Sequence, residues 1–286
     1  MDGLTRCAVY NIHNSVYKKG DKHMKLTKII SAAAAGILAV CAMSGCGAKI
    51  PANTVFSADD LVNKTIGVQI GTTGATYAGD VEGAKVDLYN KGADAIQALK
   101  QGKVDAVIID NEPAKVFVSK NDDLMILDDP FTVEEYAIAI KKGNDELTEK
   151  INTALAELKA DGTLDLITSN WIGEEAGQHP YVSPEGVDRS NGTLVMATNA
   201  EFPPYELMEG DKVVGFDADM MQAVCDKLGM ELQIENMAFD SIIAAISAGK
   251  ADVGAAGMSV TPDRLENVNF SDSYTTATQV IVVRKN

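Results

Sequence analysis

The chain has 286 residues, enough for two domains, and its apolar fraction of 46% is ordinary for a globular protein. Its formal net charge of −16 argues against a nucleic-acid partner, because a nucleic-acid surface needs clustered Lys and Arg. The charge favours solubility and says little about the fold.

The amino-terminal region has the pattern of a targeting segment. A basic start and the Ala-rich apolar run 29–42, which is too short to span a membrane comfortably, predict a signal peptide over residues 24–45. It ends in Met-Ser-Gly-Cys, which resembles a bacterial lipobox, so we expect Cys46 to be acylated as the first mature residue. The alternative is a buried helix with an incidental cysteine. Residues 1–23 have no place in such a signal and are expected to be a spurious extension.

The next part of the chain alternates between apolar strands and amphipathic helices. Strands are predicted over 65–70, 104–109 and 136–140, and a strong helix over 145–160. This alternation predicts an α/β fold with mostly parallel sheets flanked by helices. Residues 173–192 are polar and rich in Gly and Pro, so they are predicted to be a linker.

A second α/β unit begins near Thr193, and the two units share a weak repeat. Residues 98–105 and 246–252 both show a helix end, a Gly-Lys turn, an Asp and then an apolar strand. Two similar lobes imply a cleft between them. In sheets of this type ligands bind at the carboxyl ends of strands, so the cleft is the predicted binding site.

The stretch from Gly254 to Arg264 has the features of a carboxylate site. Ser259 precedes a helix start in which Thr261 is the N-cap and Pro262 the first helical residue. A helix N-terminus favours anions, and Arg264 in the first turn offers a planar fork to a carboxylate. The alternative is a plain strand–turn–helix with a surface arginine.

Several segments together resemble the solute-binding proteins of bacterial ABC importers, in the family that binds polar amino acids (family 3). The resemblance covers nearly all of residues 56–286 and implies a two-lobed, type II periplasmic-binding-protein fold. It is carried by residues 198–206, 215–219, 239–243, 257–264, 268–271, 71–73, 102–105 and Asp110.

The resemblance also implies roles for the site residues. Arg264 would hold the ligand α-carboxylate, assisted by the loop Gly257-Met258-Ser259 and the amides of Thr72 and Thr73. Asp110 would take the α-ammonium, and since it follows an apolar strand directly, a position facing the cleft fits this role. The alternative for Asp110 is an N-cap of the next helix, and both roles are compatible.

The ligand side chain would meet aromatic and polar residues. Phe202, Tyr205 and Phe239 would sandwich it, with core packing as the alternative, above all for Phe239. Asn199 and Glu201 would read its distal group. Glu201 beside three aromatic residues favours a basic side chain such as that of arginine or lysine.

The order of the segments departs from the family pattern and is that of a circular permutation. Residues 57–137 would form the smaller lobe and 138–286 the larger one, joined by one intact hinge at 136–140. A fusion or truncation artefact of tandem genes is the rival explanation. A monomer is expected, with a lobe-exchanged dimer as the other possibility.

These features predict an extracytoplasmic lipoprotein that delivers an amino acid to an ABC permease in the membrane. The chain lacks a Gly-x-Ser-x-Gly nucleophile motif and a phosphate-binding Gly-rich loop, so no enzyme and no cofactor is expected. Its histidines and cysteines lack the spacing of metal ligands, so no metal is expected. Two alternatives remain open: a catalytic relative such as a cyclohexadienyl dehydratase, and a ligand-sensing domain of a receptor.

Overall fold

The computed structural model describes residues 50–286, so the predicted signal peptide and Cys46 lie outside the described residues. Two main sheets, each flanked by helices, form the framework. The first sheet has the strand order β2-β1-β3-β14-β4, and β5 also pairs with β14. Its strands are β1 (Thr65–Gln69), β2 (Lys85–Tyr89), β3 (Ala106–Asp110), β4 (Leu124–Ile126), β5 (Thr132–Tyr136) and β14 (Thr275–Arg284).

The second sheet has the order β11-β7-β12-β6-β13. Its strands are β6 (Ala139–Lys141), β7 (Thr193–Thr198), β11 (Glu231–Asn236), β12 (Val253–Gly254) and β13 (Val268–Phe270). A small antiparallel sheet carries β8 (Glu201–Phe202), β9 (Glu206–Glu209) and β10 (Lys212–Val214). The helices are α1 (Thr73–Asp80), α2 (Gly92–Lys100), α3 (Asn111–Ser119), α4 (Asp145–Ala160), α5 (Thr163–Trp171), α6 (Phe216–Leu228), α7 (Ile242–Ser247) and α8 (Pro262–Leu265).

Local sequence explains the regular elements. β3 is buried along its whole length because it lies inside a sheet with helices on both faces, which accounts for its continuous apolar run. Helix α4 buries Ile151, Leu155 and Leu158 on one face and is capped by Asn144, whose side chain accepts from the Leu147 N–H. The predicted α/β architecture is confirmed.

Both sheets are mixed, however, and not mostly parallel. In the first sheet β2, β1 and β3 are parallel, while β14 runs antiparallel to β3, β4 and β5. In the second sheet β11, β7 and β12 are parallel, and β6 lies antiparallel to β12 and β13. The antiparallel strands are those next to the points where the chain passes from one sheet to the other.

The chain crosses between the sheets twice, which corrects the prediction of a single hinge. One crossing joins β5 to β6 between Tyr136 and Ala139, so the predicted strand 136–140 is divided between two sheets. The other joins β13 to β14 between Phe270 and Thr275. Consequently β14 lies in the first sheet, although the expected lobe boundaries placed residues 275–284 with the other lobe.

The predicted linker 173–192 contains no helix or strand and is attached to α6. Asp226 accepts hydrogen bonds from the Tyr181 hydroxyl at 2.9 Å and from Arg189 Nε at 3.0 Å. Asn191 donates to the Leu228 carbonyl at 2.8 Å. Within residues 50–286, no helix has the length and apolar character needed to cross a membrane.

Candidate ligand-binding site

Most of the predicted site residues meet in a cavity between the two sheets. Gln69 and Asp110 end the parallel strands β1 and β3, and Asn199 follows β7 of the second sheet, so the carboxyl ends of strands form its walls. Nine of the twelve predicted ligand-binding residues line it. The lining consists of Gln69, Thr72, Thr73, Asp110, Asn199, Phe202, Phe239, Ala256, Gly257, Ser259 and Arg264.

Arg264 reaches into this cavity from α8, whose N-cap Thr261 accepts from the Arg264 N–H as predicted. Its guanidinium donates to the Ser259 carbonyl at 2.7 Å and to the Gly71 carbonyl at 3.0 Å, and lies 5.5 Å from the centre of the Phe239 ring. Burial lowers its pKa. Among residues 50–286 no carboxylate forms a salt bridge with it, so a partly buried cation retains donors for an anion.

The loop before α8 has a backbone that requires glycine at position 257. Gly257 has φ +53°, and a Cβ there would lie 2.7 Å from the Phe202 ring. Its N–H donates to Asp217 Oδ2 at 2.8 Å, so this amide is already engaged, contrary to its predicted role. Met258 is buried in the core beside the cavity and does not line it. The Ser259 hydroxyl donates to Glu134 Oε2 at 2.9 Å.

Asp110 is the last residue of β3 and occupies the N-cap position of α3, but its side chain makes no capping hydrogen bond. It is 7% exposed and accepts a hydrogen bond from the Tyr136 hydroxyl. Burial raises the pKa of Asp110 to about 7, although the Tyr136 hydrogen bond opposes the shift. The capping alternative therefore does not account for its carboxylate, which faces the cavity.

The amino end of α1 forms another wall. The Thr72 side chain caps this helix by accepting from the Ala75 N–H at 3.2 Å and donates to the Gln69 carbonyl at 2.8 Å. Thr73 is buried and its hydroxyl donates to Glu134 at 3.0 Å. The positive end of the helix dipole points towards the cavity and favours a negatively charged ligand group.

The three predicted aromatic residues have different positions. Phe202 and Phe239 line the cavity, whereas Tyr205 does not. Tyr205 is 2% exposed and makes edge contacts with Tyr136 at 5.3 Å and Phe216 at 5.9 Å between ring centroids. Core packing, the alternative expected above all for Phe239, is therefore the environment of Tyr205.

The two predicted readers of the distal group also differ. Asn199 lines the cavity, accepts from Gln69 Nε2 at 3.0 Å and donates to the Met237 carbonyl at 2.9 Å. Glu201 lies outside the lining and pairs with Lys91 Nζ at 2.5 Å. Its charge is compensated from the opposite side of the cleft.

Sequence reasoning missed two polar residues of the site, Gln69 and Glu134. Glu134 is 8% exposed and accepts hydrogen bonds from four side chains around the cavity. Its donors are Thr73, Tyr77, Ser259 and Gln279. The alternation in Thr132–Tyr136 places Glu134 on the same strand face as Tyr136, which is the signal that could have identified it.

The sequence is similar to those of several known proteins. It is 39% identical over 103 residues to the arginine-binding extracellular protein ArtP of Bacillus subtilis (strain 168), covering 36% of this chain and 40% of ArtP. It is 35% identical over 124 residues to the L-cystine-binding protein TcyJ of Escherichia coli (strain K12), covering 43% of this chain and 47% of TcyJ. A solved ancestral arginine-binding protein bound to arginine is 44% identical over 29% of this chain and 37% of that chain, with a TM-score of 0.28.

The chain thus matches less than half of the length of these relatives. A family model described as bacterial extracellular solute-binding proteins, family 3, matches residues 75–174 and 194–286. These two ranges cover more than half of the sequence, and the chain therefore belongs to the bacterial extracellular solute-binding proteins of family 3.

Proposed function

We propose that the protein binds a free polar α-amino acid in the cavity between its two sheets. The proposal rests on the presence of Arg264 and Asp110 in the same cavity. Among residues 50–286, Arg264 has no carboxylate partner and Asp110 has no cationic partner. An α-amino acid supplies both missing charges. Its carboxylate would accept from the Arg264 guanidinium and its ammonium would donate to Asp110.

The ligand side chain would lie between Phe202 and Phe239, near Asn199. A basic side chain fits the aromatic faces and the nearby Glu201. Relatives named as arginine-binding and histidine-binding proteins support this preference, while relatives named for cystine and glutamine support the wider class of polar amino acids.

The protein would act outside the cytoplasm and pass its ligand to an ABC permease. The family's description as extracellular and the names of the ABC-transporter relatives support this role. Acylation of Cys46 would tether the protein to the membrane. Replacing Cys46 by Ala should release the protein from the membrane fraction, and a variant that stays bound with unchanged mass would contradict the anchor.

Binding is tested by calorimetry and thermal shift with the twenty amino acids. A ligand that binds only the folded state should raise the melting temperature, in proportion to the logarithm of its concentration. Arg264→Ala should weaken binding by roughly 2–5 kcal/mol, because the ligand carboxylate would then be buried without a partner. Arg264→Lys keeps the positive charge but loses the two parallel N–H donors of the guanidinium. Lys250→Ala, at an exposed lysine, is the control and should leave binding unchanged. Unchanged affinity in a folded Arg264→Ala protein would remove the assignment.

A further inference from the structure

The salt bridge between Lys91 and Glu201 spans the mouth of the cleft. Lys91 follows β2 of the first sheet and is the N-cap of α2, and Glu201 begins β8 on the other side. Lys91 Nζ lies 2.5 Å from Glu201 Oε1. The side chains are 48% and 34% exposed, so the pair is reached by solvent and can open.

This pair adjoins the end of the cavity marked by two neutral amides. Gln69 Nε2 donates to the Asn90 carbonyl at 3.2 Å and to Asn199 Oδ1 at 3.0 Å. Asn90 precedes Lys91 in the chain, and the Asn199 carbonyl accepts from the Glu201 N–H at 2.6 Å. The salt bridge is therefore connected to the inner wall on both sides of the cleft.

We propose that Lys91 is a specificity-determining residue. It supplies the counter-ion of Glu201 from within the protein and thereby limits the preference of the site for ligands with cationic side chains. This inference rests on the proposed amino-acid binding. Among residues 50–286, Lys91 is the only cation in a salt bridge with Glu201. A ligand guanidinium or ammonium that approaches Glu201 must displace the Lys91 ammonium or bind beside it against repulsion between like charges.

A neutral polar side chain meets no such competition. It can use the Gln69 and Asn199 amides while the salt bridge stays closed. Lys91 should therefore affect the affinity for arginine strongly and the affinity for glutamine weakly. A residue that only held the cleft shut would change both affinities by the same factor.

The test is the ratio of arginine to glutamine dissociation constants, measured by calorimetry. Lys91→Met, which keeps most of the side-chain length and removes the charge, should tighten arginine binding about fivefold, the upper end of the effect of a solvent-exposed ion pair. Glutamine binding should change less than about twofold in the same variant, since no charge is involved. Lys91→Arg should keep the wild-type ratio, and Glu201→Gln should weaken arginine selectively.

Lys85 provides a matched control. It forms an exposed salt bridge with Asp87 at 2.8 Å, but both residues belong to β2, so this pair does not connect the two sides of the cleft. Lys85→Met should leave the ratio unchanged. Equal changes for both ligands, or no change, in Lys91→Met would overturn the inference while leaving amino-acid binding intact. If the folded wild-type protein binds no amino acid, the proposed function fails and this inference falls with it.

Discussion

The backbone N–H of Asn53 donates a hydrogen bond to Asn286 Oδ1 at 2.8 Å, although the two residues are 233 positions apart in the sequence. Arg284 also donates to the Pro51 carbonyl at 3.3 Å. The two ends of the described range therefore lie side by side at the first sheet. We propose that the chain is a circular permutation of the family order, in which residues 173–192 join the former ends.

A reordered protein is predicted to fold and to bind ligand as well as this one. It would place residues 193–286 first, then a short Gly/Ser connector, then residues 50–172. Both crossings between the sheets stay intact in either order, because the new junction falls at the adjoining ends of the first sheet. Permutation at exposed sites is commonly tolerated. The measurements are the melting temperature and the dissociation constant of the best ligand.

The control is a chain opened inside the crossing 271–274 instead. That opening removes one of two connections between the sheets, so the ordering cost of ligand binding should rise and affinity should fall. Equal affinity in this control, together with a loss in the reordered protein, would contradict the permutation argument.

The regular elements could be predicted because their patterns are local. The buried run in β3 and the amphipathic face of α4 need only neighbouring residues. The crossing at Tyr136 was not predictable in the same way. The sequence from Thr132 to Lys141 has no Gly or Pro break, and its division between two sheets depends on partners distant in sequence, such as Thr275 opposite Tyr136.

The lining of the candidate site was predictable where polar or glycine-rich motifs follow strands, as at Thr72 and Arg264. Gln69 carried the same signal as Asp110, a polar residue that ends an apolar strand, but no motif drew attention to it. Tyr205 and Met258 were assigned to the site because they stand inside matching motifs. Motif membership fixes the backbone position and leaves open whether a side chain faces the cavity or the core.

Ligand affinity is predicted to fall as the pH decreases from 8 to 6. The pKa of Asp110 is raised to about 7, so at pH 6 most molecules hold a proton there that the ligand ammonium must displace. Because only the ionised carboxylate attracts the ammonium, affinity should weaken about tenfold over this range. Calorimetry in buffers of different ionisation enthalpy would detect the released proton. A dissociation constant independent of pH between 6 and 8 would contradict the role of Asp110.

Tyr136→Phe is predicted to move this pH dependence to higher pH. The Tyr136 hydroxyl donates to Asp110 and lowers the pKa of that carboxyl, so its removal should raise the pKa further. Affinity at pH 7 should therefore fall more than affinity at pH 9. An equal loss at both pH values would indicate that Tyr136 only shapes the cavity.

Substitutions of Tyr205 and Phe239 should distinguish a residue of the hydrophobic core from a residue of the candidate ligand-binding site. Tyr205→Ala is predicted to destabilise the protein by roughly 3–5 kcal/mol, since it removes a fully packed ring. Phe239→Ala should weaken ligand binding with a smaller loss of stability, because that ring is half-buried at the cavity. Denaturant unfolding and calorimetry check both. The assignment is wrong if Tyr205→Leu, a better-packed core substitute, restores stability and still abolishes binding.

The last prediction concerns a buried pair of acids behind the Gly257 loop. Glu206 and Asp217 are both 0% exposed, and Asp217 Oδ2 accepts from the Gly257 N–H at 2.8 Å and the Tyr274 hydroxyl at 3.1 Å. The Glu206 oxygens and Asp217 Oδ1 have no partner among the described residues. Burial, and then the Asp217 charge, raise the pKa of Glu206, and burial raises the pKa of Asp217 to about 6. A proton held on Glu206 would let it donate to Asp217.

A carboxyl whose pKa is higher in the folded state than in the unfolded state favours folding at low pH. That stability is complete below the unfolded value near pH 4 and is lost as the pH rises through the folded value. The shift of Asp217 alone corresponds to about 3 kcal/mol over the whole titration. About half of this falls between pH 7.5 and pH 5, enough to raise the melting temperature by a few degrees over that interval. The ligand-free protein should therefore gain stability as the pH falls from 7.5 towards 4, because Asp161, whose pKa is lowered to about 2, opposes this trend only in more acidic solution. In Glu206→Gln the side-chain amide can donate to Asp217 at every pH. The melting temperature of this variant, measured by thermal unfolding, should therefore depend less on pH. A wild-type melting temperature that rises from pH 5 to pH 7.5 would show that the pair does not hold a proton in the folded state.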